Sequence, residues 1–289
     1  MKDFAGRVAV ITGSASGIGR GIAKVAAEKG MKVVLADVDT EALASLSEVL
    51  RQQGAEVQTI ETDVRDARAV ELLAQEALRA FGSIHLVCNN AGVLVAGTAW
   101  DRTEDDWRWV IDVNLFGVVN GLRAFIPILL DQDEPAHVVN TASVGGLMVG
   151  PYLSPYIVSK HAVVALTESV FHELAALEAP VGVSVLCPGP IATGITTSER
   201  IRPEDRPQTR DLASEAEKSF AEMLRMGVET GMAPDEVGQI VFEGIRNNQF
   251  WIYTHPVPAD SIRAHAESVV HATNPVYAPE LSDEMLDAN

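Results

Sequence analysis

Arg7-Val8-Ala9-Val10-Ile11-Thr12-Gly13-Ser14-Ala15-Ser16-Gly17-Ile18-Gly19 decides the fold. Its first half is a short β-branched run without polar alternation, which is how a strand buried on both faces reads. The second half is a glycine turn. A helical pattern follows from about Ile18 to Lys29 and stops at Gly30, and Lys32-Val33-Val34-Leu35-Ala36-Asp37 reads as a second buried strand. Strand, turn, helix and strand make a βαβ unit, parallel and right-handed. Glycines let the backbone turn tightly and approach a pyrophosphate, while the helix N-terminus offers N–H groups and a favourable dipole. The spacing is Gly-x-x-x-Gly-x-Gly rather than the general Gly-x-Gly-x-x-Gly. Gly13, Ser14, Ser16, Gly17, Ile18 and Gly19 are therefore candidate dinucleotide contacts. Asp37 closes the second strand twenty residues after Gly17. A carboxylate there accepts hydrogen bonds from the adenosine ribose and repels a 2′-phosphate, which favours NAD over NADP. The plainer reading makes Asp37 a loop acid or cap beside Asp39 and Thr40.

The alternation continues outward. Helices are expected near 40–53 and 66–81, and strands near 56–62 and 84–88. Those strands end in Asp63-Val64 and Asn89-Asn90-Ala91-Gly92, at the carboxyl edge where open parallel sheets bind ligands. Asn90, Ala91 and Gly92 can line the dinucleotide groove, with Asp63 towards adenine. Residues 103–130 read as one long helix, opened by Thr103-Glu104-Asp105-Asp106 and striped by Trp107, Val110, Ile111, Leu115, Val118 and Leu122. Asn114 interrupts that stripe, and Pro127 is placed to kink the helix end. Strands over 136–142 and 181–187 follow; the second runs into Pro188-Gly189-Pro190-Ile191-Ala192-Thr193, a rigid turn suited to a nicotinamide carboxamide. The polar segment 191–232 suggests a helical lid over a pocket. A helix over 234–246, a short aromatic strand at 250–253 and an irregular or partly helical extension, 256–289, complete one domain spanning 1–289.

Composition bounds the partners. With 289 residues, 47% of them hydrophobic and 21% charged, the chain is of ordinary soluble type. Forty acids against 22 bases give a net charge of −18, which repels nucleic acid and anionic membranes. No unbroken apolar run approaches the ~18 residues that span a bilayer. The N-terminus enters a strand at once, with no signal-peptide pattern. Cys88 and Cys187 close strand-like runs and read as buried reduced thiols of a cytoplasmic protein, with no metal set.

The chemistry lies in Ser143 to Lys160. Pro155 suits a first helical turn, and Ile157, Val158, Val163, Val164, Leu166, Val170 and Leu174 keep helical spacing after it. Tyr156 and Lys160, four apart, share a face. An ammonium beside a phenol favours the phenolate and fits the tyrosine for acid–base work near neutral pH. Ser143 can hydrogen-bond the same substrate oxygen. The plain alternative is a half-buried ring and a solvated amine.

Thr12-Gly13-x-x-x-Gly17-Ile18-Gly19, Asn89-Asn90-Ala91-Gly92, Asn114, Ser143, Tyr156-x-x-x-Lys160 and Pro188-Gly189 occur in order, and over residues 5–255 the chain resembles the short-chain dehydrogenase/reductase family. The resemblance implies a doubly wound α/β (Rossmann) fold: a mostly parallel seven-stranded sheet with helices on both faces. It implies Asn114, Ser143, Tyr156 and Lys160 as catalytic residues. Tyr156 exchanges the hydroxyl proton, Ser143 steadies the oxygen, Lys160 tunes Tyr156 and holds a ribose, and Asn114 anchors a water. Cofactor contacts at Asp37, Asp63, Val64, Asn90, Ala91, Gly92, Pro188, Gly189, Ile191 and Thr193 follow likewise. The substrate implied is a hydrophobic secondary alcohol or ketone; Leu186 to Ile191 and Tyr253-Thr254-His255 are similar to members acting on bulky or aryl alcohols. Homotetramers or dimers, joined through the long helix near 103–130 and the Tyr156 helix, are the expected assembly.

Overall fold

The computed structural model describes residues 1–206 and 211–275. Seven strands form one sheet: β1 (Val8–Thr12), β2 (Lys32–Asp37), β3 (Val57–Glu61), β4 (Leu86–Asn89), β5 (Ala136–Thr141), β6 (Val181–Cys187) and β7 (Trp251–Tyr253). Their order is β3-β2-β1-β4-β5-β6-β7, and every pairing is parallel. "Mostly parallel" thus becomes wholly parallel, because each strand returns by a crossover rather than a hairpin. The chain runs from β1 outward to β3, then comes back to the other side of β1 with β4. The strand order therefore reverses between β1 and β4, and a crevice opens there at the carboxyl edge.

Alternate residues of each strand feed two separate cores. Val8, Val10, Val34, Val87, Val138 and Val183 face one layer, with α3 (Ala67–Phe81), α5 (Gly117–Asp131) and α6 (Ser154–Ala176). Ala9, Ile11, Val33, Leu35, Leu86 and Ile252 face the other, with α1 (Gly17–Glu28), α2 (Thr40–Gln52) and α8 (Pro234–Arg246). Asp39 and Asp66 accept from Ala42 N and Arg68 N and cap α2 and α3. Thr103 and Asp106 form a capping box at α4 (Glu104–Ile111), and Ser214 and Glu217 form another at α7 (Glu215–Glu229).

The long helix is one run, Glu104–Asp131, but with a change of pitch: Asp112–Phe116 is a π segment between α4 and α5, and Asn114 sits at its centre. Widened turns of this kind often mark working positions. By length and hydropathy this run would meet the criteria for a membrane span, more apolar than its sequence pattern led us to expect. Half of it is buried in the protein, among Trp109, Val110, Val118, Leu122, Phe125 and Leu129 of the sheet-facing core. Pro127 lies inside α5 without ending it.

The 191–232 segment contains a 3-10 stretch, Ile195–Ile201, and α7, and is closed by a parallel bridge between Ile191 and Met232. The extension beyond Tyr253 forms α9 (Ala259–Val270), none of whose residues is buried; residues 276–289, the rest of that extension, lie outside the described residues.

Candidate active site

The nucleotide end is built by the turn after β1. Gly13 and Gly17 have φ of +64° and +51°, a region open to glycine and costly for other residues. A Cβ at Gly13 would lie 2.7 Å from Ala91 Cα, so the two strand ends touch backbone to backbone. Thr12 Oγ1 accepts from Asn90 N (3.0 Å) and Ala91 N (3.2 Å) and donates to Cys88 O (3.3 Å). Asn90 Nδ2 donates to Thr12 O at 3.1 Å and Gly13 O at 3.3 Å. Thr12 opens the glycine motif in the sequence, but these bonds were not legible there, because the partners are 76 to 79 residues apart.

Two expected contacts fall elsewhere. Ser14 is fully buried, with its hydroxyl on Ala36 O, and Gly19 packs so closely that a Cβ would collide with the Gly13 carbonyl. Neither lines the crevice; both hold the turn in shape. Asp37 does line it, and its carboxylate also accepts from Ala15 N (2.9 Å) and Asp39 N (3.1 Å). The ribose reading and the structural reading of Asp37 thus coexist, since each oxygen keeps a second lone pair. Asp63 lines the same wall but is gripped by Arg65 at 2.7–3.1 Å.

The catalytic candidates meet farther along the same crevice. Ser143, just beyond the end of β5, accepts from Gly145 N at 3.0 Å, and a Cβ on Gly145 would lie 3.5 Å from both Ser143 Oγ and Tyr156 Cε1. Lys160 lies one turn beyond Tyr156 on α6, with Nζ 5.6 Å from the Tyr156 ring centroid. Its ammonium donates to Thr141 O at 2.9 Å. Asn114 is fully buried; Oδ1 accepts from Val93 N (2.8 Å), and Nδ2 donates to Val93 O (3.0 Å) and Ser159 Oγ (3.0 Å). A Cβ on Gly92 would lie 3.5 Å from both Asn114 Oδ1 and Lys160 Nζ. So all four candidates converge, though Asn114 stands behind the crevice wall.

The protonation expectation needs correcting. Desolvation pushes the Tyr156 phenol above its ordinary range, and the nearby Ser143 hydroxyl pulls it only part of the way back. Desolvation likewise pushes the Lys160 ammonium down to about 8. Removal of water disfavours either charged form, and here it is the largest influence on both groups.

The crevice is a cavity of about 1880 Å³. Asp37, Val64, Gly92, Pro188, Gly189, Ile191 and Thr193 lie along one part of it. Thr193 reaches back over Gly17, where a Cβ would meet its Cγ2 at 3.0 Å. The glycine cradle, the terminal carboxylate of β2 and the small residues after β4 thus fit a dinucleotide. At the other part, Met148, Val149, Tyr152, Phe220, Met223 and Leu224 make an apolar wall. The Tyr152 and Phe220 rings meet at a tilt of 54°, their centroids 5.5 Å apart. Glu217, buried, ties α7 down by accepting from Thr98 N (2.9 Å), Ala213 N and Ser214 N; these N–H bonds, Ser214's and Thr98's above all, hold its carboxyl at about 2. Arg202 Nη2 meets Asp106 Oδ1 at 2.6 Å, both side chains buried, with the guanidinium 4.7 Å from the Trp109 ring centroid. The acid partners of Arg202 and Arg206 were not legible beforehand, because charge alone does not show which acid a basic residue will find.

The short chain dehydrogenase profile matches residues 7–204. A "CLA biosynthesis dehydrogenase/reductase" from Lactiplantibacillus plantarum is 34% identical over 89% of this chain and 90% of its own length. A "C alpha-dehydrogenase" from Sphingobium sp. is 32% identical over 100% of this chain and 93% of its own. Among solved structures, a short chain dehydrogenase/reductase from Burkholderia phymatum in complex with NAD superposes with a TM-score of 0.92 at 44% identity, covering 96% of this chain and 99% of that one. Those likenesses run through the glycine turn and the Tyr156 helix alike, and the chain belongs to the short-chain dehydrogenase/reductase family.

Proposed function

We propose that the protein is an NAD-dependent oxidoreductase acting on a hydrophobic secondary alcohol or its ketone. The observation that carries the reading is the placing of Ser143, Tyr156 and Lys160 in one crevice with the glycine turn and Asp37. When bound, the nicotinamide ring would supply the hydride acceptor or donor. Gly13, Ser16, Gly17, Ile18 and Asn90 would hold the dinucleotide backbone, Asp37 the adenosine ribose, and Pro188 to Thr193 the carboxamide. The Asp37 carboxylate disfavours a 2′-phosphate, which argues against an NADP-dependent carbonyl reductase. The NAD-bound relative from Burkholderia phymatum supports the same choice.

Tyr156 exchanges the substrate's hydroxyl proton, and the Ser143 O–H donates to the same oxygen as charge builds on it. Ser143 is free for this because Gly145 N–H already occupies one of its lone pairs and turns the hydroxyl. Lys160, protonated below about 8 and with Nζ 5.6 Å from the Tyr156 ring centroid, offsets the phenolate charge. The wall of Met148, Val149, Tyr152, Phe220 and Met223 favours an apolar substrate body and excludes water. Phe220 and Met223 of α7 complete that wall, and the 191–232 segment serves as the substrate lid of one domain. Buried reduced Cys88 and Cys187, each pushed up to about 12 by desolvation, support a cytoplasmic location. Phe116, Val158 and Phe171, exposed on the 104–131 run and α6, are the expected contacts of a homotetramer or dimer.

Reduced-nicotinamide absorbance, followed with cyclic, aryl and steroidal alcohols, tests the reading. Tyr156→Phe should lower turnover by at least ~10²-fold, the low end of general acid–base contributions. A variant as active as the parent removes the mechanism. Tight NAD binding without turnover on any alcohol would favour the remaining reading, a dinucleotide-sensing protein.

A further inference from the structure

We infer that Arg200 is a ligand of the cofactor diphosphate, delivered from the lid and not from the nucleotide turn. The inference rests on the dinucleotide reading above and adds a residue to that site. Arg200 closes the 3-10 stretch and lines the crevice beside Ser16, Gly17, Thr193 and Gly194. The side chain is exposed, and hydrogen bonds hold its guanidinium in place. Nη1 donates to Gly194 O at 2.9 Å and Thr197 O at 3.0 Å, and Nη2 reaches Ser16 Oγ at 3.5 Å. Gly194 makes room: a Cβ there would stand 3.0 Å from Nη1.

Charge makes the placement informative. The neighbouring lid arginines are matched to acids: Arg202 to Asp106 and Glu199, Arg206 to Asp105 and Asp112. Among the described residues, Arg200 forms no ion pair, in a chain with 40 acids against 22 bases. It is held instead on carbonyls beside Ser16, the N-cap of α1, whose hydroxyl caps nothing and whose first turn carries no acid. A cation next to the positive end of a helix is unfavourable by itself. The same arrangement becomes favourable once an anion lies between them, bonded by the guanidinium on one side and by N–H groups on the other. A diphosphate threaded past Gly17 is an anion of that shape. Its grip on Arg200 would also fix Gly194 and Thr197, so cofactor binding would steady the lid before substrate enters.

ADP-ribose, which keeps the diphosphate but lacks the nicotinamide, tests this by calorimetric titration alongside NAD. R200A should bind both about tenfold more weakly, the loss expected of one charge-assisted contact. R200K should fall between the two, since lysine keeps the charge without the fork. The unfolding midpoint of the unliganded variant should match that of the parent. Added salt should weaken ADP-ribose binding more steeply in the parent than in R200A. Equal ADP-ribose affinity in parent and R200A overturns the assignment while leaving the dinucleotide reading intact. A parent that binds neither ADP-ribose nor NAD overturns the dinucleotide reading, and Arg200's role with it.

Discussion

Asn114→Ala should destabilise the fold by about 3 kcal/mol, a figure that follows from three hydrogen bonds and a propensity correction. Asn114 is wholly buried, and Val93, which it serves, is 2% exposed. Removing the amide strands Val93 N–H and Val93 C=O, whose partners sat at 2.8 and 3.0 Å. Each orphaned buried group costs about 1–3 kcal/mol. Ser159 loses less, because its hydroxyl still donates to Tyr156 O at 2.7 Å. Alanine returns at most ~0.7 kcal/mol of helix propensity, and less in a π turn. Asn114→Asp is the sharper probe. It keeps the shape and the acceptor facing Val93 N, but turns a second acceptor on Val93 O. At neutral pH it should be as unstable as the alanine variant. It should recover below the pKa of the new carboxyl, where an O–H can donate again. Urea titrations followed by the fluorescence of Trp107 and Trp109, at pH 7 and pH 4.5, read both. A loss under ~1 kcal/mol for Asn114→Ala, or an aspartate variant as stable as the parent at pH 7, would refute the account of the π turn as a clamp on the Val93 backbone.

Two other outcomes follow from buried charge. Arg202→Ala leaves Asp106, itself fully buried, without its 2.6 Å partner; a loss of about 3–5 kcal/mol is expected, together with faster trypsin cleavage within 195–229, and unchanged cleavage would sink it. Desolvation, with a smaller push from the N-terminal ammonium, lowers His137 to about 3, so the folded state keeps it neutral while the unfolded chain protonates near 6.5. The unfolded state then binds the extra proton between those values, and stability must fall as pH drops from 6.5 towards 3, by on the order of 5 kcal/mol at most. The gap in urea midpoint between the parent and His137→Gln should narrow over that range; a gap that stays constant refutes the linkage.

The strands and their order of use were legible because each carries a run with no polar side to expose, and a parallel sheet covered on both faces demands that. Asn114 was legible as an anomaly, a buried amide on an apolar stripe, but not its partner: Val93 comes from the loop after β4, 21 residues away. Ser14 and Gly19 looked like ligand contacts because smallness in a turn serves close packing and ligand approach equally well. Packing against Ala36 and Gly13 claimed them. The direction of the Tyr156 shift could not be read at all. Spacing along α6 puts lysine near tyrosine, but how much water remains around the pair is decided by elements distant in sequence, β5 and β6 among them.

Thr141 shows why the two halves of the site cannot be understood separately. Its hydroxyl donates to Asn90 Oδ1 at 3.3 Å, and Asn90 holds the carbonyls of Thr12 and Gly13. Its carbonyl accepts the Lys160 ammonium at 2.9 Å. One residue at the end of β5 therefore joins the glycine turn to Lys160, one helical turn beyond Tyr156. A shift of the Gly13 backbone on ligand binding would be felt at Asn90, then at Thr141, then at Lys160 Nζ. The ammonium is already weakened by desolvation, so a lengthened bond to Thr141 O would change its charge more readily than that of a solvated lysine. The parallel sheet makes this coupling short: β1, β4 and β5 are neighbours, and their carboxyl ends fall on one edge. The fold places the glycine turn and the Tyr156–Lys160 pair one hydrogen-bonded strand end apart, which is the physical reason a single crevice can hold both.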